Sequence, residues 1–107
     1  MNQKDIRLDL LKKIEANPEY TQRELSVEMG VSLGKVNYCI KKFTEKGLIK
    51  ISNFNQSSNK LRYVYLLTPK GIEEKTSLTI SFLSTKIEEY EMLKKEIAKL
   101  KIDIGKL

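Results

Sequence analysis

The stretch Thr21-Gln22-Arg23-Glu24-Leu25-Ser26-Val27-Glu28-Met29-Gly30-Val31-Ser32-Leu33-Gly34-Lys35-Val36-Asn37-Tyr38-Cys39-Ile40-Lys41 decides the fold. Thr21 and Glu24 stand at capping-box spacing, with Glu24 at N3 placed to reach back to the Thr21 amide, so a helix opens here. Leu25 and Met29 (i, i+4) face inward, Val27 is ambiguous, and Gly30 ends the helix as a left-handed cap. Only Val31 separates that cap from Ser32, the N-cap of a further helix over 33–46. Val36, Ile40 and Phe43 recur on one face of it before Gly47 closes it. Two short helices joined by a tight glycine turn, the second the richer in bases, form a helix-turn-helix.

The flanks extend that unit on both sides. Residues 5–16 read as a preceding helix, with Asp5 as its cap, Ile6, Leu10 and Ile14 on one face and Leu11 beside them. Asn17-Pro18 stops it, because the residue before a proline is pushed out of the helical region. Residues 48–54 and 61–67 are apolar, β-branched and aromatic: Ile49 and Ile51 in the first run, Tyr63, Val64, Tyr65, Leu66 and Leu67 in the second. Between them Asn55-Gln56-Ser57-Ser58-Asn59-Lys60 is a polar hairpin tip, the wing of a winged helix. Tyr63 and Tyr65 are expected to pack in the core and sheet. Thr68-Pro69 then starts a last helix, with Thr as N-cap and Pro at N1, where its missing amide costs nothing.

From Pro69 onward the period is helical without a break. Leu83, Tyr90, Leu93, Ile97, Leu100, Ile104 and Leu107 follow an a/d heptad, with Lys86 at one d position and Ile87 beside it. At 1.5 Å per residue this helix reaches about 55 Å, too long for the preceding domain to cover. Homodimerisation is the economical way to bury such a seam, with Leu83, Ile87, Tyr90, Leu93, Ile97, Leu100 and Ile104 as the interface. The expected class is mainly α with a small β-hairpin (α+β). A winged helix-turn-helix DNA-binding domain spans residues 1–70, and a C-terminal coiled-coil dimerisation helix spans 71–107.

Charge points to the partner. The chain carries a net +6, and its excess lies in one block. Residues 32–70 hold eight bases against a single acid, Glu45, whereas residues 1–31 net −1 and 71–107 net zero. A basic block with neutral flanks is the electrostatic footprint of a surface that sits on phosphates. With one cysteine and no histidine, the usual zinc sites and His-based acid–base pairs are excluded. No enzyme, metal or cofactor is expected. The lone cysteine suits a reducing cytoplasm, and no apolar run is long enough to span a bilayer.

The residues expected to meet double-stranded DNA follow from the helix faces. With Val36, Ile40 and Phe43 inward, Lys35, Asn37, Tyr38, Lys41 and Lys42 lie on or beside the wet face, and Leu33 and Gly34 sit in the turn that enters the major groove. Asn37 suits a bidentate contact to adenine and Lys35 a contact to guanine. Ser32 and the helix N-terminus suit a phosphate, as do Gln22 and Arg23 at the start of the preceding helix. In the wing, Asn55, Asn59, Lys60 and Arg62 would follow the backbone or minor groove. Cys39 adjoins the inward face and reads first as a small buried thiol.

The run from Thr21 to Lys41, followed by Glu45-Lys46-Gly47-Leu48-Ile49-Lys50, resembles the MarR-type winged-helix transcriptional regulators, and within them the exopolysaccharide-associated subgroup. Leu67-Thr68-Pro69-Lys70-Gly71-Ile72-Glu73-Glu74-Lys75 is similar to the segment that joins wing to C-terminal helix there. The resemblance implies a dimeric regulator that binds operator DNA near promoters, with a link to exopolysaccharide genes; the leading reading is a sequence-specific repressor that occludes a promoter. Residues 1–5 leave no room for the N-terminal helix of the larger members, so dimerisation would rest on the C-terminal helix. Two other readings stand beside it: a non-specific architectural DNA binder, and a winged helix used as a protein-interaction module.

Overall fold

Three short helices and a hairpin enclose one apolar core, and a fourth helix runs out of it into solvent. The computed structural model describes the backbone of residues 3–56 and 60–106, and the side chains of 6–52 and 63–106. In chain order the elements are α1 (Gln3–Ala16), α2 (Gln22–Met29), α3 (Leu33–Glu45), β1 (Ile49–Gln56), β2 (Lys60–Leu67) and α4 (Pro69–Gly105). This is the mainly helical winged helix-turn-helix with a long C-terminal helix that the sequence predicts.

α1 begins at Gln3, so Asp5 lies inside the helix and is not its cap. Its buried residues are the expected Ile6, Leu10, Leu11 and Ile14, together with Leu8. At 100° per residue these cover about 200° of arc. One stripe would serve a helix lying on a surface, whereas α1 is packed by α2, β2 and α4 together. Two ion pairs bind it to α4: Arg7 to Glu74 at 2.8 Å, and Lys75 to Glu15.

Both helix ends of the helix-turn-helix close in the same way. Gly30 (φ +66°) and Gly47 (φ +73°) take the left-handed conformation that other residues reach only with strain. The amides of Gly30 and Val31 then bond the carbonyls of Val27 and Ser26, and those of Gly47 and Leu48 bond the carbonyls of Thr44 and Phe43. This paired bonding satisfies carbonyls that a helix end leaves open. It also turns Leu48 back toward Phe43, and both are buried. The third helix therefore stops at Glu45, with Lys46 as its cap, one residue before the expected end.

β1 and β2 pair antiparallel from Ile49↔Leu67 to Gln56↔Lys60. The ladder thus runs past Phe54 and starts before Leu61, through residues expected in the tip. Backbone pairing needs no apolar side chain, so the polar residues Asn55, Gln56 and Lys60 continue it. Tyr65 is buried as expected. Tyr63, 62% exposed, is not; the two share one face of the strand, but the core ends beneath Tyr65 and the hairpin projects beyond it. The base of the wing is fixed by a backbone bond from the Tyr65 amide to the Pro18 carbonyl, 3.0 Å.

Thr68 joins wing to α4. Its hydroxyl accepts from the Gly71 amide at 3.0 Å as N-cap, and it donates to the carbonyls of Gly47 and Leu48. The first turn of α4 lies directly on the Leu48 backbone. A Cβ at Gly71 would stand 2.0 Å from the Leu48 carbonyl oxygen. Beyond Leu78 every described residue of the helix, from Thr79 onward, is exposed.

Candidate nucleic-acid interface

The face of α3 turned away from the core carries the site. Val36, Cys39, Ile40 and Phe43 are buried, which fixes the helix rotation and leaves Leu33, Gly34, Asn37, Tyr38, Lys41 and Lys42 exposed, with Lys35 half-buried. Ser32 holds the N-terminus, its hydroxyl oxygen accepting from the Lys35 amide at 3.1 Å. An open helix N-terminus and a neighbouring hydroxyl together favour an anion.

Within that face two arrangements are built. The ring of Tyr38 lies between Lys35 and Lys42, each ammonium 5.7 Å from its centroid. The aromatic face attracts both cations and holds two flexible side chains along one helix edge. Lys42 is further drawn toward Glu45, 3.7 Å away. Beside this edge, Asn37 Nδ2 donates to Gln22 Oε1 at 3.1 Å, and Gln22 Nε2 donates to the Tyr65 hydroxyl at 3.2 Å. A residue of the exposed face of α3 is thus connected through the start of α2 to the root of the wing. The connection orients the Asn37 amide. One of its N–H groups is engaged, and the other stays available with Oδ1, the donor–acceptor pair that the adenine edge requires.

Gln22 therefore stands behind Asn37, its carbonyl oxygen and one N–H already engaged. Arg23 is exposed one residue further on. The capping box at Thr21 forms both ways: the Glu24 amide donates to the Thr21 hydroxyl at 3.1 Å, and the Thr21 amide to the Glu24 carboxylate at 3.3 Å. Val27 is 77% exposed and takes no part in the core. Of the wing positions, Asn59 lies outside the described residues, and the side chains of Asn55, Lys60 and Arg62 lie outside the described side chains. Sequence reasoning missed the place of Tyr65 in this site. Its position two residues from Tyr63 on a strand was the available signal, but the partner lies 43 residues earlier in the chain.

Cys39 is buried on the inward side of α3. Burial pushes its thiol above the ordinary pKa, against a smaller opposing pull from Lys35 and Arg7. Among the described residues no group of His, Cys, Asp and Glu is arranged to hold a metal ion, and no helix is long and apolar enough to cross a membrane.

Residues 3–50 match the family model described as winged helix-turn-helix DNA-binding, and the hairpin that follows completes a winged helix-turn-helix fold. Among solved structures, the chain is similar to a transcriptional regulator homologue protein of Pyrococcus horikoshii OT3, with a TM-score of 0.59 and 19% identity over 78% of this chain and 81% of that one. It is also similar to the MarR of Staphylococcus aureus, solved in complex with salicylate and kanamycin. There the TM-score is 0.53 and the identity 23%, over 76% of this chain and 54% of that one. Both likenesses are likenesses of fold. No curated protein sequence matches the chain.

Proposed function

We propose that this protein is a sequence-specific transcription regulator that binds DNA as a homodimer through α4 and represses by occluding promoter DNA. The observation that carries the reading is the exposed face of α3. There Asn37, oriented by Gln22, stands beside Lys35, Tyr38, Lys41 and Lys42. A face built for phosphates alone would need no oriented amide at its centre, because phosphate contacts carry no sequence information. Lys41 and Lys42 supply the salt-dependent affinity, Asn37 and Lys35 the base contacts, and the wing residues Asn59, Lys60 and Arg62 the flanking backbone.

Two substitutions separate these roles. Asn37→Ala should cost about 1–3 kcal/mol on the preferred site and little on random duplex. Lys41→Ala should weaken all duplexes alike and flatten the salt dependence. Equal losses for Asn37→Ala on both duplexes would refute base reading. The substrate is found by passing fragmented genomic DNA over the protein at near-physiological salt and sequencing what stays. A shared palindromic motif upstream of a few operons supports the regulator. Even retention makes it an architectural binder, and no retention moves the partner to another protein. The exopolysaccharide genes rest on the resemblance alone, and the retained fragments either include them or remove them.

A further inference from the structure

The apolar residues of the exposed part of α4 are not scattered. Taking Leu83 as an a position puts Tyr90, Ile97 and Ile104 at a, and Lys86, Leu93 and Leu100 at d. The same register places Glu89, Glu96 and Asp103 at g, with Ile87, Lys94 and Lys101 at e. The winged domain occupies another side of the helix. Gly71 and Leu78 are buried against it, Glu74 pairs with Arg7, and Lys75 pairs with Glu15. At 100° per residue that side lies about 120° round from the line through Ile72, Thr76, Thr79 and Leu83, so domain and seam do not compete.

Resting on the dimeric reading above, we propose that a second copy of this chain covers the seam as a parallel, in-register, two-stranded coiled coil beginning at Leu83. Charge selects the direction. In a parallel pair each g residue faces the e residue five positions on in the other helix. Glu89 then meets Lys94 of the partner subunit, Glu96 meets Lys101 of the partner subunit, and the two-fold repeats both. One heptad earlier the same geometry joins Phe82 at g to Ile87 of the partner subunit, which explains two exposed apolar residues flanking the seam. In an antiparallel pair g faces g and e faces e, so three acids oppose three acids and lysines oppose lysines. Composition selects the number of strands: Ile at a (Ile97, Ile104) with Leu at d (Leu93, Leu100) favours two.

Lys86 is the exception, since a parallel d layer sets two ammoniums across the axis. Each is already bound within its own helix, to Glu89 at 3.2 Å and over the Phe82 ring at 5.1 Å. Those contacts draw the charge to the g side and out of the seam, and a polar residue at one core position fixes register at a cost in stability. Direction also decides what the winged domains are able to reach. A parallel coil holds both at one end, where two reading helices address half-sites about 34 Å apart. An antiparallel coil over the same residues leaves them at opposite ends of a rod roughly 36 Å long.

Cross-linking tests the arrangement in the full-length chain with Cys39 replaced by Ala. Tyr90→Cys (a) and Leu100→Cys (d) each face their own copy in a parallel pair and face one another in an antiparallel pair over the same seam, on a stretch where every described residue is exposed. Under mild oxidation each variant alone should form a disulfide-linked dimer. Cross-links that appear only when the two variants are mixed would overturn the parallel direction while leaving the dimer intact. No cross-link from any combination, with monomers in sedimentation, would remove the dimeric reading itself. As a second readout, Glu89→Lys with Glu96→Lys should weaken self-association at least tenfold at low salt. Adding Lys94→Glu and Lys101→Glu to the same chain should restore it. An antiparallel coil predicts no loss in the first step, because there position 89 faces the unchanged Asp103 and position 96 faces its own copy, so repulsion between acids is relieved rather than created.

Discussion

Asn37 is an exposed amide whose neighbours decide what it presents. Its bond to Gln22, and that of Gln22 to the Tyr65 hydroxyl, make the orientation of the Asn37 amide, and with it the proposed base reading, depend on a residue that is itself buried. Tyr65→Phe keeps the ring in the core and removes one hydrogen bond, so stability should fall by only about 0.5–1.5 kcal/mol. Preference for the base under Asn37 should weaken too, read as the affinity ratio between the preferred site and the same site altered at that base. In an Asn37→Ala background the same substitution should leave that ratio unchanged, and a remaining effect would break the connection. Cys39 gives a pH signature. Its folded pKa lies above the unfolded value, so the thiolate forms first in the unfolded chain. Stability is then constant at neutral pH and declines as pH rises past the ordinary thiol range; Cys39→Ala should lessen that decline in thermal melts. Rotation of the reading helix was legible because Val36, Ile40 and Phe43 fix it by period alone. The Tyr65 contact was not, because period carries no information about which residue of a strand lies opposite a helix start.

Among the elements, the junction of wing and α4 is the tightest. Gly71→Ala would force a Cβ into the Leu48 carbonyl, where both partners are backbone and neither has a rotamer to yield. We expect a loss of about 1–3 kcal/mol in denaturant unfolding, against a gain if Gly71 were an ordinary helix interior position. Thr68→Ala removes an N-cap and two links to the end of the preceding turn, and should cost at least about 1 kcal/mol. Caps and turns were the most legible elements: Thr21, Ser32 and Thr68 cap as their sequence signals say, and Gly30 and Gly47 close their helices. Those signals are local, with donor and acceptor three residues apart. Asp5 is the cap signal that failed, because its helix begins at Gln3; the other misread features depended on more than local spacing. Leu8 is buried because α1 is enclosed by three neighbours, and Tyr63 is exposed because the core stops short of it. The ladder extends because strands pair through their backbones whatever the side chains.

The whole molecule is far from spherical. Its radius of gyration is 19.6 Å, against about 13 Å for a compact chain of this length, and its longest dimension is 73 Å. The excess is α4, carrying exposed Leu83, Tyr90, Leu93, Ile97, Leu100 and Ile104 into solvent. If α4 pairs as proposed, Ile97→Asn should release monomers in sedimentation and lower operator affinity steeply, since two linked half-site contacts become independent. A dimer that persisted would place the interface elsewhere. One mechanical consequence follows from the way Gly71, Thr68 and the two ion pairs of α1 seat the winged domain on an unbroken helix. In the proposed dimer α4 runs unbroken from the winged domain into the seam, so it behaves as a drive shaft whose angular phase is set residue by residue. One residue inserted between Thr79 and Phe82 would turn the winged domain by about 100° relative to the seam. Pairing would survive, while the two reading helices would no longer face one side of a duplex. Seven residues inserted at the same place would restore most of the phase, and binding with it.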